Sequence, residues 1–114
     1  MSEKFTPGPW EVCNGADVFT QTGAINGRGV AASTNDGWMI ATCPNASTNT
    51  DDGECELEYS EQTANAHLIA AAPDGYWSND ELLDAIKKLI AGMPVRDLDE
   101  RILRAEKYQE RARG

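Results

Sequence analysis

Three dipeptides in the first half of the chain, Asn14-Gly15, Asn26-Gly27 and Asp36-Gly37, constrain its fold more than any other feature. Asn, Asp and Gly tolerate the positive φ angles that a type I′ turn needs, and that turn joins two right-twisted strands without splaying them. Each dipeptide is therefore a candidate hairpin. Short runs of period-two alternation lie between them: Trp10 and Val12 about Glu11, Val30 and Ala32 after Arg28, Trp38 and Ile40 about Met39. The pattern predicts an antiparallel meander of four strands near 9–13, 16–22, 28–34 and 38–43. A fifth strand is expected at 55–59, where Cys55, Leu57 and Tyr59 alternate with Glu56 and Glu58. Ahead of the meander, Pro7-Gly8-Pro9 forms a rigid lead-in, because proline has no amide donor and restricts the residue before it.

The second half changes period. Residues 44–53 are rich in Asn, Ser, Thr and Asp, with only Ala46 apolar, and read as a loop. Ser60 then caps a helix over 62–72 that Pro73 ends. Ser78-Asn79-Asp80-Glu81 has the spacing of a capping box and opens a helix carrying Leu82, Leu83, Ile86, Leu89 and Ile90 to a stop at Gly92 and Pro94. Asp97 and Glu100 repeat the capping pattern for a last helix to about Ala112. The chain therefore reads as α+β: one domain over 1–114, with a β-meander and an acidic loop (44–61) inside 9–59 and a helical part over 61–112. The leucine-rich face of the second helix is expected to cover the sheet beside the first helix, both on one face.

Charge divides the chain differently. Residues 1–80 hold twelve acids and two bases, a net of −10, whereas residues 81–114 hold seven acids and eight bases. The overall charge of −9 argues against direct nucleic-acid binding by phosphate neutralisation. Six acids, Asp51, Asp52, Glu54, Glu56, Glu58 and Glu61, follow one another without a base between them, so this segment must face water or a basic partner. No apolar run approaches the roughly 20 residues of a membrane helix, and the amino end lacks a signal-peptide core, so a cytoplasmic protein without membrane contact is expected.

Catalytic machinery is hard to assemble from these residues. The single histidine, His67, falls in a predicted helix with no serine or cysteine beside it. Gly23, Gly27 and Gly29 have neither the lysine nor the following helix of a phosphate loop, and the acids after Asp51 do not follow the order of a calcium loop. Cys13, Cys43 and Cys55 are odd in number and lack paired zinc-ligand spacing, so free thiols are expected. No enzyme activity, cofactor or metal is expected.

Two stretches carry a resemblance: Phe5-Thr6-Pro7-Gly8-Pro9-Trp10, and Ala64-Asn65-Ala66-His67-Leu68-Ile69-Ala70-Ala71-Ala72-Pro73-Asp74. In this order the chain resembles a widespread group of small phage and prophage accessory proteins that share both boxes but no one established function. His67 stands where that group has arginine, and Gly75-Tyr76-Trp77-Ser78-Asn79 is an insertion ahead of the leucine-rich helix. The resemblance implies a protein of the bacterial host cytoplasm. With it, the acidic edge from Asp51 to Glu61 reads as the contact for a host protein, a nucleic-acid-handling or defence factor that the phage protein inhibits.

A second reading takes Arg101, Arg104, Lys107 and Arg111, with Tyr108, as phosphate holders and Tyr76 or Trp77 as a base-stacking ring. The protein would then sequester a nucleotide immune signal. A third is a structural, oligomeric accessory protein. The last helix carries an apolar stripe of Leu98, Ile102, Ala105 and Ala112 between oppositely charged flanks, which fits a homodimer through Leu98, Ile102 and Ala105.

Overall fold

The computed structural model describes residues 5–33, 36–45 and 47–114. Residue 34 of the expected third strand and Ala46 of the expected loop lie outside the described residues. The fold is α+β. Strands β1 (Trp10–Cys13), β2 (Asp17–Thr20) and β3 (Met39–Thr42) form an antiparallel meander with β2 in the middle. Strands β4 (Ser47–Thr50) and β5 (Gly53–Glu56) form a separate antiparallel hairpin. Helices α1 (Tyr59–Ala70), α2 (Ala72–Ile90) and α3 (Leu98–Arg113) follow.

The first turn forms as its sequence demands, with Asn14 at φ 56° and Gly15 at φ 76° between β1 and β2. The other two dipeptides do not join long strands, and the expected strand over 28–34 is corrected. Between β2 and β3 the chain makes a small excursion closed by a single bridge from Ile25 to Ala31. The Asn26 carboxamide oxygen accepts the N–H groups of Arg28 and Val30, each at 2.9 Å. This side-chain bonding serves the tip, while backbone bonds from Gly23 to Ser33, Ala32 to Ala24 and Asn26 to Val30 hold the two arms together. Trp38 ties the excursion down, its indole N–H donating to the Ala24 carbonyl at 3.0 Å and its backbone N–H to Thr20 Oγ1 at 2.7 Å.

The two boxes meet in space. Trp10 packs on a small core of Val18, Cys43, Ala66 and Ala70, together with Val12, Ile40 and Ile69. The alanines keep α1 narrow, so it lies close against β1 and β2. Gly8 sits against the Pro73 ring, where an added Cβ would come within 2.8 Å of Pro73 Cβ.

Two helix expectations are also corrected. α1 starts at Tyr59, one residue before Ser60, with Glu58 at the N-cap position and no side-chain cap. Pro73 does end α1, but it also stands in the first turn of α2, where its missing N–H leaves no intrahelical bond unmade. α2 therefore begins at Ala72, and Ser78 is an interior residue with no free helix end to cap. Its hydroxyl is buried without a hydrogen-bond partner among the described residues. The inserted Gly75–Asn79 stretch is helical.

α1 covers the sheet, whereas α2 packs on α3 and not across the sheet. The leucine-rich face of α2 is accordingly left open. Of its apolar residues Pro73 and Ala85 are buried, while Leu83, Ile86 and Ile90 are 46%, 52% and 82% exposed.

Candidate functional site

The six acids expected to contact a partner divide among three elements. Asp51 and Asp52 form the tip of the β4–β5 hairpin, and Glu54 and Glu56 lie on β5. Glu58 is the N-cap of α1, and Glu61 lies in its first turn. The segment expected as a loop over 44–53 is thus largely one strand and the turn of a hairpin. Its Thr50 hydroxyl donates to the Gly53 carbonyl at 2.8 Å, and Gly53 takes the φ of 115° that the reversal requires. The expected strand at 55–59 shifts to Gly53–Glu56, because Tyr59 is taken by α1.

Every residue of both hairpin strands is exposed. In the register, Ser47 faces Glu56 and Asn49 faces Glu54, so both glutamates share one hairpin face. Residues two apart on a strand are about 7 Å apart, which sets the carboxylates in a regular row. None of the six acids enters an ion pair among the described residues. The nearest polar partner of the row is Asn45, whose amide reaches Glu56 at 3.5 Å.

The basic face of α3 behaves in the opposite way. Its arginines are bound to acids of α2 in an antiparallel ladder: Arg101 with Asp84 at 2.9 Å, Arg104 with Glu81 at 2.7 Å, and Arg111 with Asp74. Arg101 also holds Asp97 at 3.0 Å and donates to the Glu81 carbonyl, while Arg111 donates to the Trp10 carbonyl. The hydrogen bond from Arg101 keeps the Asp84 carboxyl below the usual carboxylate range, with a second contribution from Lys88, and keeps Asp97 low as well. Reciprocally, Asp84 raises Arg101 and Glu81 raises Arg104 above the ordinary guanidinium value.

Of the residues expected to hold a nucleotide, Trp77, Arg104, Lys107 and Tyr108 line one cleft of about 260 Å³ between α2 and α3, with Asp74, Ser78 and Glu81. The cleft is smaller than a usual ligand pocket and balances two acids against two bases. Tyr76 does not line it but packs edge-on against both Phe5 and Trp77, with ring centroids 5.1 Å and 5.0 Å away, and Arg101 lies outside it near Asp97. In the stripe proposed for dimerisation, Leu98, Ala105 and Ala112 are half-buried on α3 and Ile102 is exposed.

Cys13, Cys43 and Cys55 are free thiols with different exposures, from buried Cys43 to exposed Cys55. Among the described residues no three His, Cys, Asp or Glu side chains come together as metal ligands. No helix among them is long and apolar enough to cross a membrane.

This chain belongs to a family of phage proteins. That family is the one described as Salmonella phage P22 protein Y8K6, which it matches over residues 1–114. Comparison with curated proteins and with solved structures finds no match.

The sequence missed the open apolar face of α2. The signal was present in the spacing of Leu83, Ile86 and Ile90, but a helix that packs on another helix and one that packs on a sheet share the same periodicity.

Proposed function

We propose that this phage protein works without catalysis, as an accessory factor that docks its acidic hairpin on a basic surface of a host protein and inhibits it. The observation that carries this reading is the exposure of both hairpin strands together with the absence of any ion pair to their carboxylates. A row of unpaired charge on a projecting element raises the rate of encounter with a surface of opposite sign. A host surface that ordinarily receives nucleic acid has that sign. The open strand edges offer backbone donors and acceptors for a partner strand as well.

The nucleotide-sequestering reading draws less support, because the arginines it needs are engaged by Asp74, Glu81 and Asp84. Capture of host proteins followed by native mass spectrometry tests the proposal. One stable partner is expected, whereas retention of a small molecule and no protein would favour the sequestering reading. With that partner in hand, Glu54→Lys, Glu56→Lys and Glu58→Lys together should slow association about tenfold or more at low salt. The difference should shrink near 1 M salt, where the screening length is about 3 Å. Unchanged association kinetics would reject the hairpin as the contact.

A further inference from the structure

The exposed residues of α2 follow a heptad. Leu83, Ile86 and Ile90 stand at successive spacings of three and four, the geometry of a short seam that packs against another helix, and exposed Met93 follows just beyond the Gly92 break. Their exposures run from 46% for Leu83 to 82% for Ile90, and the α3-facing residue Ala85 lies on a different side of the helix. The chain does little to hide apolar surface elsewhere: Val18 is the only large side chain among the described residues that is fully buried. Its radius of gyration is 17.9 Å, against about 13 Å for a compact domain near this length.

The flanks of the seam say what covers it. Asp80 and Lys87 lie along one side, one heptad apart, and neither enters an ion pair among the described residues. On the other side Leu89 adds apolar surface. When two copies of this helix run antiparallel with Leu83 of each opposite Ile86 of the other, a two-fold axis falls between these layers. Asp80 of each copy then meets Lys87 of the other, twice by symmetry. A parallel pairing puts apolar residues opposite Lys87 and leaves Asp80 unmatched.

We infer that α2 is the interface of a homodimer, its occupant a second copy of this chain bound antiparallel along the seam. This inference is independent of the hairpin reading, and the hairpin residues take no part in it.

Sedimentation equilibrium of the full chain at tens of micromolar should give twice the 12.4 kDa chain mass. The single-chain mass at that concentration would overturn the inference. Leu83→Glu with Ile90→Glu should yield the single-chain mass with an unchanged far-UV circular dichroism spectrum. A dimer that persists in this folded variant would also overturn it. Should that variant unfold, the charge arm decides. Asp80→Lys alone should weaken dimerisation about tenfold by turning two attractive pairs into repulsive ones, and adding Lys87→Asp should restore it. A swap that fails to restore the dimer rejects the antiparallel pairing.

Discussion

Two glycines show how single positions hold the elements in place. An added Cβ at Gly75 would come within 2.5 Å of the Tyr108 ring, so this glycine is what lets α3 lie flat on α2. At Gly37 the added atom would strike the Thr20 backbone carbonyl, which belongs to the central strand and has no rotamer to adopt. Gly75→Ala should therefore cost about 1–3 kcal/mol, and Gly37→Ala more, since a ring can tilt where a ladder carbonyl is fixed. Urea unfolding measures both. Truncating Tyr108 should rescue much of the Gly75→Ala loss in a double-mutant cycle, and strict additivity would show that the ring is not the obstacle. Ser78 is the contrasting case. Its spacing from Glu81 marks a cap only for a helix that begins there, and the start at Ala72 buries it instead.

At the level of elements, the α2–α3 contact carries a ladder of ion pairs beside little buried apolar surface. Pro73 and Ala85 are the buried apolar residues of the two helices, and the ladder of Asp84, Glu81 and Asp74 with three arginines runs along most of the contact. Because Arg101 lowers both Asp84 and Asp97 in the folded chain, their contribution is complete above the ordinary carboxylate value of about 4. It is lost as pH falls through their depressed folded values. Thermal unfolding followed from pH 6 to pH 2.5 should show the helical part weakening below about pH 4. Asp84→Asn should be less stable at neutral pH and show a flatter acid limb, and an acid limb as steep as that of the unaltered chain would contradict the ladder's role.

Element boundaries divide by the kind of signal behind them. The Asn14-Gly15 turn was legible because it rests on chemistry within two residues; Asp97 does stand at the start of α3, but its carboxylate binds Arg101 and the expected side-chain cap does not form. The strand expected at 28–34 was not, because its residues pair with 23–26 in a short local hairpin whose tip Asn26 closes with its side chain, and alternation alone cannot tell such an excursion from a meander strand. Nor could periodicity show that α2 seeks a helix, since that depends on Gly75 meeting Tyr108, residues far apart in the chain. The acidic segment was legible as exposed, but its hairpin was not, since polar strands such as Ser47–Thr50 carry no apolar alternation to read.

Across the whole molecule, packing is uneven. Among the described residues the sheet and α1 share one cluster of buried side chains, whereas the β4–β5 hairpin is exposed along both strands. Native-state hydrogen exchange should follow this gradient. Amides of β1, β2 and α1 should be the slowest, and those of β4 and β5 should exchange near the rates of local opening. Equal protection in the hairpin and in β2 would mean that the hairpin is held by contacts beyond its own ladder.

The same gradient bears on how such a protein changes over generations. A substitution at Ala66, Val18 or Gly37 must satisfy neighbours already in place, so folding vetoes most alternatives there. Between Ser47 and Glu56 the internal demands among the described residues are few: the Gly53 reversal, the Thr50 hydroxyl that braces it and a register between two short strands. Most side chains there can be rewritten without consulting the rest of the molecule. Under pressure from a changing host, this is the stretch a lineage can edit fastest, and close relatives should differ most in its letters while keeping its length.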